Sequence, residues 1–207
     1  MQVLRMPVGQ LSTNCYLLYT EPGGQGALID PGAETLTILT AIEKRRLDLK
    51  TILLTHGHAD HIGAAAKVRE KTGAKIYIHS QDAEMAKDPE LNLSPYIGFG
   101  SLVLEPDRLL AEGESVEVCG ERLKVLYTPG HTPGSVCYYC QKLGVLFSGD
   151  TLFAGGFGRT DLVGGDEAQL KASLEKILPN LPEETLVYPG HGGKTTIGGE
   201  QGLLGLL

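Results

Sequence analysis

Three of the chain's six histidines fall within six residues, in the run His56-Gly57-His58-Ala59-Asp60-His61. Neutral imidazole nitrogens and carboxylate oxygens are donors that a borderline-soft divalent ion takes, and a tight loop can aim several of them at one point. The same residue types recur downstream in similar settings. His131 ends Thr128-Pro129-Gly130-His131, His191 ends Tyr188-Pro189-Gly190-His191, and Asp150 follows Leu146-Phe147-Ser148-Gly149. Surface histidines do not usually cluster in this way. The pattern reads as a metal-ligand set: His56, His58, Asp60, His61, His131, Asp150 and His191. The remaining histidine, His79, reads as a polar residue at a strand end.

Each candidate ligand follows an apolar, β-rich run, so strand ends must deliver them. Strands are expected at about 2–7, 14–20 and 26–30, then a helix over about 34–46 with Leu36, Leu39 and Ile42 as its apolar face. Thr51-Ile52-Leu53-Leu54 runs directly into the histidine cluster, followed by a helix over about 62–72 and a strand from Lys75 to His79. The second half repeats this grammar with strands at about 115–119, 122–128, 135–140 and 144–148, a helix from Asp166, and a strand at 184–188. Asp166 and Gln169 resemble a capping box, and Leu170, Leu174, Ile177 and Leu178 form that helix's buried face. The alternation predicts an α/β class with ligands at carboxyl ends of strands. Residues 88–107 show no clear element and read as a substrate-facing loop. Asp30, before Pro31-Gly32, suits either an acceptor for the far N–H of a ligand imidazole or a turn-forming role. Lys67, Arg69, Glu70 and Lys71 read as a solvated helix face.

Composition sets the frame. At 207 residues and 42% hydrophobic, the chain is long enough for one domain, 1–207, with a sizeable core. Eighteen Lys and Arg against 25 Asp and Glu leave a formal charge of −7. That balance argues against nucleic acid and anionic membranes as partners. No apolar run approaches a bilayer span and Met1 to Gln10 lacks a leader's pattern, so a cytoplasmic location is expected. Cys15, Cys119, Cys137 and Cys140 are too few and scattered for a disulfide framework. The single CxxC lies on a strand, where period 2 sends Cys137 and Cys140 to opposite faces, so packing is the expected role.

The order His-x-His-x-Asp-His, lone His, Gly-Asp and Pro-Gly-His, spanning residues 56 to 191, resembles the metallo-beta-lactamase superfamily. That resemblance implies an αββα sandwich of two mixed sheets packed face to face, with helices on the outer faces. It also implies two divalent ions, with zinc expected first and iron or manganese as alternatives. One ion would be held by His56, His58 and His131, the other by Asp60, His61 and His191, with Asp150 bridging. Zinc β-lactamases of the common subclass place a Cys at the Asp150 position, which argues against that activity here. The stretch from Gly149 to Asp161, with Gly158-Arg159 after the bridging Asp, is similar to the glyoxalase II group.

By that resemblance the chain is a hydrolase of small acyl thioesters such as S-lactoylglutathione. A bridging hydroxide would attack the carbonyl, Asp60 would orient it, and a thiolate would leave. The 16 residues after His191 are fewer than the helical domain with which glyoxalase II holds glutathione. Substrate contacts are therefore expected from 88–107, from the Arg159 region, or from a partner subunit on Leu203 to Leu207, which leaves a homo-oligomer open. Those leucines suit a place in the chain's own core equally well. The rival enzyme is an iron persulfide dioxygenase, whose single iron would take His56, His131 and Asp150. A ribonuclease is disfavoured by charge, and a non-enzymatic scaffold by the complete ligand set.

Overall fold

Central strands must bury both faces if two sheets stack between helices, and the apolar runs at 14–20, 26–30, 135–140 and 144–148 meet that demand. The computed structural model describes Met1 to Gly205. Its first sheet runs in sequence order: β1 (Gln2–Val8), β2 (Thr13–Tyr19), β3 (Gln25–Ile29), β4 (Asp48–Leu53), β5 (Lys75–His79) and β6 (Arg108–Leu110). Strands β1 to β3 are antiparallel, and β3 to β6 are parallel. Helices α1 (Thr35–Lys44), α2 (Ala59–Ile62), α3 (Ala65–Thr72), α4 (Ala83–Lys87) and α5 (Pro89–Asn92) belong to this half.

The second half supplies β7 (Ser115–Val118), β8 (Glu121–Tyr127), β9 (Val136–Cys140), β10 (Val145–Gly149), a small hairpin of β11 (Leu152–Phe153) and β12 (Gly156–Phe157), α6 (Glu167–Ile177), β13 (Leu186–Pro189), β14 (Thr195–Thr196) and α7 (Ile197–Glu200). The sheet order is β14-β13-β10-β9-β8-β7, with β10 and β13 parallel and the other pairs antiparallel. Strands β8, β10 and β13 therefore point the same way, and their carboxyl ends share one edge.

Period-2 alternation sorts the core into three layers. Leu17, Leu28 and Ile52 face outward to Ile38 and Ile42 of α1 and Val68 of α3. Tyr16, Leu18, Ile29 and Leu53 face inward against Val125, Tyr138 and Phe147 of the second sheet. On that sheet's far side, Leu126, Leu146 and Val187 pack on Leu170, Leu174 and Ile177 of α6. This is the αββα sandwich with two mixed sheets. Cys137 lies in the outer layer and Cys140 between the sheets, and all four cysteines are buried and free.

Several local expectations change. Helix α1 buries Ile38 and Ile42, whereas Leu36 is 80% exposed. The i, i+4 pair of β-branched residues outcompetes the leucine spacing for the sheet face. The helix expected over 62–72 is two pieces, α2 and α3, separated at Gly63-Ala64. Residues 88–107 hold α5 and a 3-10 turn over Ser94–Ile97, kept in place by Asn92 Nδ2 donating to the Leu102 carbonyl and by Ser94 Oγ accepting from Leu102 N. Strand β6, only three residues long, carries too little periodicity to be read. The Asp166 cap is as expected, its carboxylate accepting from Gln169 N at 2.9 Å and from Gln169 Nε2 at 3.0 Å. Arg69 reaches the Glu105 carbonyl and Asp107, while Lys71 pairs with Glu70 at the surface. Leu203 is buried against the α6 layer, whereas the side chains of Leu204, Leu206 and Leu207 lie outside the described residues. No helix among the described residues is long and apolar enough to cross a membrane.

The layer assignment predicts unequal stability effects. Leu174→Ala should destabilise by about 2–5 kcal/mol through cavity formation. Leu36→Ala should stay within about 0.5 kcal/mol, as exposed positions do. Urea denaturation of both variants reads the difference, and a large loss for Leu36→Ala would contradict the packing described.

Candidate metal centre

All seven candidate ligands meet at one edge of the sandwich. His56 and His58 follow β4, Asp60 and His61 lie on α2, His131 follows β8, Asp150 follows β10, and His191 follows β13. Ligand atoms of His56, His58 and His131 lie within 4.8 Å of one another, as do those of His56, His61 and Asp150 and those of Asp60, His61 and His191. Gly190 lets the last of these loops approach, because a Cβ there would sit 2.1 Å from Asp150 Oδ1 and 2.8 Å from His61 Cε1.

Several rings are fixed from behind. His61 Nδ1 lies 3.0 Å from Asp30 Oδ2, so its Nε2 faces the cluster. Asp30 also accepts from Thr55 N at 2.8 Å and Thr55 Oγ1 at 2.7 Å, which pins the residue before His56. Of the two roles open for Asp30, the imidazole contact is the one seen. His131 Nδ1 meets the Arg159 carbonyl at 2.8 Å, and His191 Nδ1 meets the Leu11 carbonyl at 3.1 Å. Imidazoles anchored through one nitrogen present the other to a common centre.

The donor set fits metal ions. Donors held at ~2.0–2.1 Å from one ion with tetrahedral angles lie about 3.3 Å apart. His58 Nδ1 and His131 Nε2 are 3.0 Å apart, His61 Nε2 and His191 Nε2 3.3 Å, and His61 Nε2 is 3.4 Å from both Asp60 Oδ2 and Asp150 Oδ1. His56 Nε2 and Asp150 Oδ1 are buried without a hydrogen-bond partner. Orphaned buried polar atoms are costly, and a bound ion relieves that cost.

The cluster divides electrostatically. Burial, reinforced by neighbouring imidazoles, holds His56 well below the usual histidine range, and burial with His131 brings His58 down to about 3. Both are neutral, as ligands must be. Burial opposes charge on His61 too, but Asp60, Asp150 and Asp30 together push it up to about 10. Asp60 stays below the carboxylate range because His61, His191 and Thr13 outweigh its burial. His191 is raised as well, its burial being overcome chiefly by Asp60 and Asp150.

Sequence reasoning missed the supports. Thr13 Oγ1 donates to Asp60 Oδ2 at 2.7 Å, and Asn14 Nδ2 donates to the carbonyls of Pro189 at 2.8 Å and Gly192 at 3.0 Å. Tyr16 Oη also donates to the Pro189 carbonyl, at 2.6 Å. The signal was a buried Thr-Asn pair heading an apolar strand. The Arg159 side chain is exposed and paired with Asp161. His79 stacks on Tyr127 at 4.5 Å and belongs to none of the ligand groups. A cavity of about 170 Å³ opens beside Asp60, lined by Val8, Leu11, Ile97 and Phe99 among others.

Fold and site together define an αββα protein with a His/Asp metal-binding cluster. The chain belongs to the metallo-beta-lactamase superfamily, whose family model matches residues 8–191, and whose members are mostly hydrolytic enzymes. It is 35% identical over 203 residues to hydroxyacylglutathione hydrolase GloC of Haemophilus influenzae, covering 97% of this chain and 95% of that one. Among solved structures it is similar to the B3 metallo-beta-lactamase BLEG-1, with 42% identity, a TM-score of 0.89 and 96% of each chain covered. It is also similar to TTHA1623 in a di-iron-bound form, with 39% identity, a TM-score of 0.83 and 96% of each chain covered.

Two outcomes follow for metal uptake. Zinc titrated into metal-free protein at pH 7 should release at least about one proton, from His61, so that affinity rises roughly tenfold per pH unit below 10. Calorimetry in buffers of different ionisation enthalpy measures this, and a buffer-independent heat would contradict it. Asp150→Ala should weaken metal binding by at least roughly 10-fold, whereas His79→Ala should stay within about 2-fold. Equal losses in the two variants would mean that His79 had been misplaced.

Proposed function

We propose that the protein hydrolyses small acyl thioesters of the S-lactoylglutathione type at a dinuclear centre. In this reading His56, His58 and His131 would hold one ion, Asp60, His61 and His191 would hold the other, and Asp150 would be shared between them. The supporting observation is the position of Asp150 between the two groups. Its Oδ1 lies 3.4 Å from His61 Nε2, and its Oδ2 lies 3.6 Å from His131 Nε2 and 3.5 Å from His191 Nε2. Zinc is the ion proposed first, with iron or manganese as alternatives, and the di-iron form of TTHA1623 supports iron as a fit. When bound, such ions supply a water of lowered pKa and polarise the carbonyl to be attacked.

The chain's own residues do the rest. Asp60, kept ionised and steadied by Thr13, would accept a hydrogen bond from the attacking water and so orient its lone pair toward the carbonyl. The leaving thiolate has an intrinsic pKa near ~8.5 and needs no strong acid, which agrees with a site holding no spare proton donor in its ligand set. The cavity beside Asp60 offers Leu11, Ile97 and Phe99 to an acyl group. Arg159, exposed near the cluster through the bond from its carbonyl to His131, is proposed to receive a carboxylate of the thiol part. The activity of GloC supports the thioester, and BLEG-1 makes β-lactams the competing substrate. Asp150 in place of a Cys excludes only the subclass of zinc β-lactamases that uses a Cys at this position.

The experiment pairs elemental analysis of the purified protein with three assays: S-lactoylglutathione hydrolysis, β-lactam hydrolysis and persulfide-dependent oxygen uptake. Two ions per chain and preferential thioester cleavage are expected. One iron with oxygen uptake, or faster β-lactam turnover, would overturn the proposal. Arg159→Ala should raise KM several-fold and leave kcat nearly intact, as loss of uniform binding does.

A further inference from the structure

A buried carboxylate outside the ligand groups is unused by the chemistry above. Asp82 follows β5, is fully buried, and belongs to none of the three ligand groups. Its Oδ2 accepts from Gly57 N at 2.9 Å and from Thr132 Oγ1 at 2.7 Å, and its Oδ1 accepts from Gly134 N at 2.5 Å. Gly57 sits between His56 and His58, and Thr132 follows His131. One side chain from a third segment thus ties together the two loops that carry one complete ligand group.

The surroundings are built for this contact. A Cβ on Gly134 would fall 2.4 Å from Asp82 N and 2.6 Å from Asp82 Oδ1, so only glycine brings that amide close enough to donate. Thr132 is itself held, its Oγ1 lying 2.7 Å from Ser135 Oγ and its amide donating to the same oxygen at 3.1 Å. A buried carboxylate is expensive unless its oxygens accept hydrogen bonds, and three donors satisfy that need here. The other ligand group has different supports: Asp30 behind His61, Thr13 on Asp60 and the Leu11 carbonyl behind His191.

We infer that Asp82 is a positioning residue of the His56-His58-His131 group, fixing the distance between its two loops. It acts on that metal site selectively, leaving the Asp60-His61-His191 group to its own supports. Asparagine keeps one acceptor oxygen but turns an N–H₂ toward a backbone donor, so Asp82→Asn should spread the two loops without emptying the volume.

This inference rests on the metal reading of the cluster and is independent of the substrate. The test is zinc binding to single-group proteins, read by calorimetry with no turnover involved. His191→Ala leaves the His56-His58-His131 group complete, and His58→Ala leaves the Asp60-His61-His191 group complete. Asp82→Asn should weaken zinc roughly 10- to 100-fold in the His191→Ala background and less than about 3-fold in the His58→Ala background. Thr132→Val, which removes one of the three bonds, should give a smaller loss with the same selectivity, and it serves where Asp82→Asn does not fold. Equal losses in both backgrounds, or none with His191→Ala, would overturn the assignment of Asp82. Failure of thioester hydrolysis would overturn the proposed function and leave this result standing, whereas absence of zinc uptake by the unsubstituted protein would overturn both.

Discussion

Seven nitrogen and oxygen ligands have to be gathered, mostly out of water, at the edge where two sheets meet. Without an ion that gathering is unfavourable: imidazoles are desolvated and crowded, and carboxylates are removed from solvent. The fold bears this through bonds made behind the ligands. Asp30 serves Thr55 and His61 together, and backbone carbonyls of Leu11 and Arg159 hold His191 and His131. Each anchor settles which ring nitrogen looks inward, so a ligand geometry exists before any ion arrives.

The two sheets contribute unequally. His56, His58, Asp60 and His61 come from one short segment after β4, whereas His131, Asp150 and His191 come from three strands of the other sheet. An ion held by both sets is a cross-link between the sheets. Its binding free energy then counts toward holding the sandwich closed, in addition to any chemistry it supports. Asn14 and Tyr16 make a metal-independent version of the same cross-link, reaching from β2 to the Pro189 carbonyl on the opposite sheet.

Much of this was legible in the chain. The His and Asp residues announced themselves because hydrophilic ligands at the ends of apolar strands break an otherwise regular pattern, and the strands themselves were readable from their β-branched runs. What escaped were features fixed by tertiary contact. Helix α1 turns Ile38 rather than Leu36 inward because the sheet face selects the pair that fits it. The 88–107 segment is ordered by Asn92 and Ser94 bonding to backbone, which leaves no periodic trace. Asp82 leaves no mark in the sequence pattern, since its role depends on amides roughly 25 and 50 positions away that only the fold brings near.

The cysteines, placed in three different packing layers, bear on the company this protein keeps. Burial raises the Cys119 and Cys137 thiols to about 11 and drives Cys15 well above its ordinary value, so these groups persist as neutral thiols. Disulfide exchange and alkylation both require an accessible thiolate. Under the thioester hydrolysis proposed above, a thiol would be liberated at every turnover, and a reactive cysteine on the surface would become a site of mixed-disulfide formation with that thiol's oxidised form. With its sulfur in the packing layers and its candidate metal centre built from nitrogen and oxygen, the chain presents no exposed cysteine to the thiols and disulfides around it.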